Sequence, residues 1–123
     1  MIRIIIADPN ETYCRSLKTL LEQIDDFRVV QVSSAPATRM PPFSCDADIM
    51  LLETGLYEEC RNGPGKGSGT DPGSLPFLLL AMYPDDLEYA RGEVAVILKK
   101  AGKREFERQI RRVAGREGSR IAP

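Results

Sequence analysis

A chain of 123 residues, 42% hydrophobic and 28% charged, suits one globular domain with one core, and no apolar run approaches the ~20 residues that cross a bilayer. There is no histidine, and Cys14, Cys45 and Cys60 lack the close spacing of a zinc site or a disulfide framework; with no signal-peptide pattern at the start, reduced thiols in the cytoplasm are expected. The net charge of −1 hides a split, −7 over residues 1–98 against +6 over residues 99–123, which reads as a basic face on a closing helix rather than a nucleic-acid surface.

Five short apolar runs lie along the chain: Ile2–Ala7, Phe27–Val32, Ala47–Leu52, Phe77–Met82 and Val94–Leu98. Several are apolar at nearly every position, as in parallel strands covered on both faces. The first run ends in Asp8 and Pro9, and a helix is expected next. Asn10 can cap it, and Cys14, Leu17, Leu20, Leu21 and Ile24 share one stripe. The fixed φ of Pro9 suits the turn into that helix. A second helix is expected near the end, with Phe106, Ile110 and Val113 at i, i+4 and i+7 and Lys103, Arg104, Arg108, Arg111 and Arg112 around them.

The remaining connections are rich in proline or glycine. Residues 33–46 hold three prolines, with helical possibility only around Ala37–Met40. Residues 54–76 are dense in glycine and proline, 83–93 have room for two helical turns, and 115–123 read as a flexible tail or the start of a linker. The stretch "GPGKGSG" is not a phosphate-binding loop. Cys60 stands where the first glycine is needed, and Gly67 stands where a hydroxyl residue must follow Lys66. Strands alternating with helices indicate an α/β doubly wound sheet. Ligands of such sheets sit beyond the carboxyl ends of the strands, where strand order reverses. Asp8, Glu53, Ala81 with Met82, and Lys99 all fall on that rim. Lys99 is expected to pair with Glu53 or Asp8, either as a structural tie or as part of a metal and phosphoryl site.

"IRIIIADPNETYCRSLKTLLEQIDDFRVVQVSSA", "DADIMLLETGL", "LPFLLLAMYPDD" and "VAVILKKAGKREFERQIRRV", in that order, resemble the response-regulator receiver domain of bacterial two-component signalling, of the kind joined to DNA-binding domains. The resemblance covers about residues 1–114. It implies a flavodoxin-like five-stranded parallel sheet of order 2-1-3-4-5. The fold's first and fifth helices are legible here, whereas its helices two to four are shortened or irregular.

Carried over by position, the family's site is altered throughout. The acidic pair falls on Asp8 and Pro9, the phosphoacceptor on Glu53, the hydroxyl residue on Ala81 and the aromatic switch on Val96. Lys99 is kept, while the proline after it falls on Lys100, so a trans peptide is expected there. Pro9 offers no oxygen to magnesium, so magnesium binding is expected to be weak or absent. Met82 is expected to crowd the pocket. Glu53 is expected either to imitate a phosphorylated aspartate through Lys99, with fewer charges and oxygens, or to form a plain structural pair with it.

The expectation is a degenerate, non-enzymatic receiver-like module acting by contact with a protein partner or a second copy, in two-component or transcriptional regulation. The chain would be a receiver-like domain over 1–114, with an output domain possible beyond Pro123. Two alternatives stay open: a phospho-accepting receiver with Asp8 as acceptor, and a small-molecule sensor. Direct nucleic-acid binding is not expected. Shielding of the sheet's second face falls to Met40, Phe43, Leu56, Tyr57, Leu75, Tyr83, Leu87 and Tyr89, either within the chain or at a contact. Tyr57, Tyr83, Leu87 and Tyr89 form one candidate interaction surface, and Arg104, Arg108 and Arg111 another.

Overall fold

The computed structural model describes residues 1–36, 46–62, 75–83 and 95–121, with backbone alone for 60–62 and 116–121. The elements are β1 (Ile2–Ala7), α1 (Glu11–Leu21), β2 (Phe27–Ser33), β3 (Ile49–Glu53), α2 (Thr54–Asn62), β4 (Phe77–Ala81), β5 (Ala95–Leu98) and α3 (Lys103–Ile121). All four strand pairings are parallel, in the order β2-β1-β3-β4-β5. This is the flavodoxin-like sheet expected from the sequence.

Continuous apolar runs become two-faced core where the strand is central. Ile4 and Ile6, Ile49 and Leu51, and Leu78 and Leu80 join the cluster under α1 and α3, which adds Leu17, Leu21, Phe106, Ile110 and Val113. The alternate residues Ile5, Ala7, Met50, Leu52 and Leu79 face the other way, with Leu56 of α2 among them. Because strand side chains alternate between faces, both must be apolar when both are covered. β2, at the sheet edge, behaves differently. Phe27 and Val29 are buried, while Arg28, Val30 and Val32 are exposed. Its register slips against β1 between Ile4 and Ile5, so Val30 has no partner residue. Just before the slip, the Glu22 Oε2 accepts the Val29 N–H at 3.3 Å.

Asn10 caps α1 as expected, Oδ1 accepting the Tyr13 N–H at 3.0 Å. Two connections depart from the sequence reading. Residues 54–62, read from composition as a gap, form a nine-residue helix, α2, in keeping with the shortened helix the resemblance implies. Gly55 is the only glycine or proline in this span and sits in the first turn, whereas the dense Gly/Pro stretch begins at Gly63. α3 does not stop near residue 114 but stays helical to Ile121, past Gly115 and Gly118. The strand expected at Ala47–Leu52 runs Ile49–Glu53. Val94, Met40, Phe43, Leu87 and Tyr89, and the expected turns around Ala37–Met40 and within 84–93, lie outside the described residues.

α3 is tied down by more than its apolar stripe. The Arg111 guanidinium forms two 2.7 Å bonds to Asp26, reaches Glu107 at 3.0 Å, and lies over the Phe27 ring, 5.0 Å from its centroid. Those bonds draw the Asp26 carboxyl down to about 2. Arg111, placed by the sequence reading on a candidate interaction surface, is a brace between α3 and the turn before β2. Arg108 is held by Glu105 at 2.7 Å, and Arg104 is exposed. No helix among the described residues is long and apolar enough to cross a membrane.

Candidate functional site

The rim beyond the carboxyl ends of the strands is built around Asp8. β1 delivers this acid into the crevice between β1 and β3, where the strand order reverses. Its side chain is 1% exposed, so each oxygen needs a partner. Oδ1 accepts the Asn10 N–H at 2.8 Å. Oδ2 meets the Lys99 ammonium at 2.6 Å, an ion-pair contact rather than a well-aligned hydrogen bond. The Asp8 backbone is engaged too, its N–H donating to Ser33 and its carbonyl accepting from the Cys14 Sγ at 3.2 Å.

Lys99, 11% exposed at its side chain, is held from three directions. Its N–H donates to the Ala81 carbonyl at 2.8 Å, so β4 positions it. The Tyr13 hydroxyl donates to the Lys99 carbonyl at 3.2 Å. The face of the same ring lies 5.0 Å from the ammonium, within cation–π range. Burial, followed by the charge of Asp8, pushes the Tyr13 phenol far above its ordinary value, so it remains a donor at neutral pH. Burial likewise raises the Cys14 thiol, with Asp8 adding to the effect.

Glu53 takes no part in this pair, which corrects the expected Glu53–Lys99 contact and the phosphoaspartate imitation built on it. The Glu53 Oε1 accepts the Leu56 N–H at 2.9 Å, three residues on, so the carboxylate caps α2. An acid at this position offsets unpaired N–H groups and the positive end of the helix. Gly55 leaves room for the fold-back: a Cβ there would sit 2.9 Å from Oε1. Replacing Glu53 with alanine is expected to cost about 1 kcal/mol. By urea unfolding, the cost should be the same within about 0.5 kcal/mol in a Lys99→Met background, because the two side chains share no contact. A strong non-additive term would restore the Glu53–Lys99 pairing.

The remaining predicted positions surround this pair without joining it. Pro9 is exposed. Ala81 is fully buried at the end of β4 and offers only a methyl group. Met82, expected to crowd the site, is 49% exposed and turns partly to solvent. Val96 is partly buried against the cluster of Ile5, Leu52 and Leu79. Tyr57 packs on Phe77, with ring centroids 5.3 Å apart, and Tyr83 is exposed. Sequence reasoning missed Tyr13. The signal was its spacing, three residues after the Asn10 cap and one before buried Cys14, which puts it on the helix flank facing the rim.

One carboxylate faces the crevice, with both oxygens taken by groups of the chain, and Glu53 is turned into α2. Among the described residues, no three His, Cys, Asp or Glu side chains gather at one place.

Sheet order, parallel pairing and flanking helices define the flavodoxin-like fold, which response-regulator receiver domains share. Solved structures agree. A response regulator receiver domain protein from Clostridium thermocellum superposes with a TM-score of 0.67 at 18% identity, over 96% of this chain and 98% of that one. A DNA-binding response regulator of the LuxR family from Staphylococcus aureus gives 0.64 at 16% identity, over 93% and 99%. The response regulator ChrA of a heme-sensing two-component system gives 0.63 at 18% identity over 93% of this chain, which spans 57% of that longer protein. Comparison of the sequence with protein-family models and with curated proteins gives no match. The resemblance read from the sequence is thus borne out at the level of fold.

Proposed function

We propose that this chain is a receiver-like signalling module that works without aspartyl phosphorylation, through contact with a protein partner or a second copy. The observation that carries the reading is the commitment of both rim carboxylates to the chain itself. Asp8 is shared between Lys99 and the Asn10 N–H, and Glu53 is spent on capping α2. An acceptor needs a free carboxylate oxygen, a metal held by neighbouring oxygens, and donors for the transferred group. Here the neighbouring positions are Pro9 and Ala81, which provide neither.

The fold shared with response regulators supports a role in two-component or transcriptional signalling in the cytoplasm, with contact rather than catalysis as the output. Magnesium is expected to bind weakly or not at all. The experiment is incubation of the full chain with acetyl phosphate and magnesium, followed at once by intact-mass measurement. The expected spectrum is unchanged. A magnesium-dependent gain of one phosphoryl group would overturn the reading, and peptide mapping of the modified chain would locate the acceptor.

A further inference from the structure

The cap and two residues of the first turn of α1 meet the rim. The Asn10 N–H donates to the Asp8 Oδ1, and the Cys14 Sγ donates to the Asp8 carbonyl. Between them in sequence, Tyr13 donates to the Lys99 carbonyl and lays its ring face beside the Lys99 ammonium. Positions 10, 13 and 14 lie on one side of a helix, since residues three and four apart are neighbours there. One helical turn therefore grips both members of the ion pair, which belong to opposite ends of the sequence.

We propose that the first turn of α1, with Tyr13 as its positioning residue, is a latch that fixes Asp8 and Lys99 to each other and so holds the turn between β5 and α3 in one conformation without a bound ligand. The turn is short. Lys99 donates its N–H to Ala81, Ala101 donates to Leu98, and Phe106 donates to Gly102 as α3 begins. Holding Lys99 thus sets where the basic helix starts. Two parts of the tyrosine act in different ways. The hydroxyl fixes the backbone of residue 99, and the ring covers the ammonium, keeping water from competing with Asp8. The latch rests on the proposed function for its consequence, a partner-facing turn already in its working conformation.

The test is amide hydrogen exchange on the full chain, comparing wild type with Tyr13→Phe, which keeps the ring, and Tyr13→Leu, which removes ring and hydroxyl. The amides of Lys99 and Ala101 report the latch, and those of Ile2 and Asp48, bonded at the opposite end of the sheet, report local opening elsewhere. Tyr13→Phe is expected to speed exchange at 99 and 101 about three- to tenfold while 2 and 48 hold their rates, in keeping with the loss of one hydrogen bond. Tyr13→Leu is expected to speed 99 and 101 further. The latch is overturned if exchange at 99 and 101 is unchanged in both variants, or rises only in step with 2 and 48. The readout involves no phosphodonor, so the latch and the phosphorylation-independent reading can fail separately.

Discussion

Replacing Lys99 with methionine is expected to destabilise the domain by about 3–5 kcal/mol, because it leaves a buried carboxylate without its counter-ion. Asp8 is 1% exposed at its side chain and keeps only the Asn10 N–H once the ammonium is gone. The methionine stem still fills the space beside the Tyr13 ring, so lost packing is a small part of the effect. Asp8→Asn alone is expected to cost a comparable amount, since it strands the lysine, which is only 11% exposed. The double variant removes both charges and leaves a neutral amide that can still accept from Asn10. It should therefore be more stable than Lys99→Met by about 2 kcal/mol or more. Urea unfolding followed by circular dichroism measures all four corners of the cycle. Additive losses would show that the two groups, though 2.6 Å apart, do not support one another.

Phe106→Ala is expected to cost about 3–5 kcal/mol, as large-to-small changes at fully packed aromatic positions do. Phe106 is 1% exposed and joins α3 to the sheet, with Ile110 and Val113 continuing the stripe. Set against the net stability of about 5–15 kcal/mol that domains possess, such a loss removes a large share of the margin. Leu56→Ala on the opposite face also opens a cavity, since Leu56 is 2% exposed, but it leaves α3 and its Arg111–Asp26 brace intact. A thermal melt should show a broad loss of helical signal for Phe106→Ala. If it melted like wild type, the α3 stripe would not be what attaches the basic helix to the sheet.

Much of the fold was legible in the chain. Unbroken apolar runs such as "IRIIIA" and "IMLLE" are what central parallel strands require, because water is excluded from both faces. The stripe of Cys14, Leu17 and Leu21 and that of Phe106, Ile110 and Val113 repeat at helical spacing, and those residues are buried. The legibility failed in two places where local composition misled. Glycine and proline further on obscured α2, a helix whose start depends on a glutamate folding back onto its own first turn. Gly115 and Gly118 suggested an end to α3 that the backbone does not make.

For the site, the sequence by itself determined which chemical groups stand at the strand ends: one buried acid, a proline, a second acid, an alanine and a lysine. It also determined that both Asp8 and Glu53 were available to that lysine. Only the tertiary structure decided between them. Sheet order alone favours Glu53, since β3 is two strands from β5, about 10 Å, whereas β1 is three strands away, about 14 Å. Two local demands reverse that preference. The unpaired amides of α2 draw the Glu53 carboxylate away from the rim, and the first turn of α1 brings Tyr13 against Lys99 beside a carboxylate too deeply buried to go without a cation. Composition and spacing carry information about single elements. Choosing the ion pair depends on distances among four elements at once, and those exist only when the sheet is assembled.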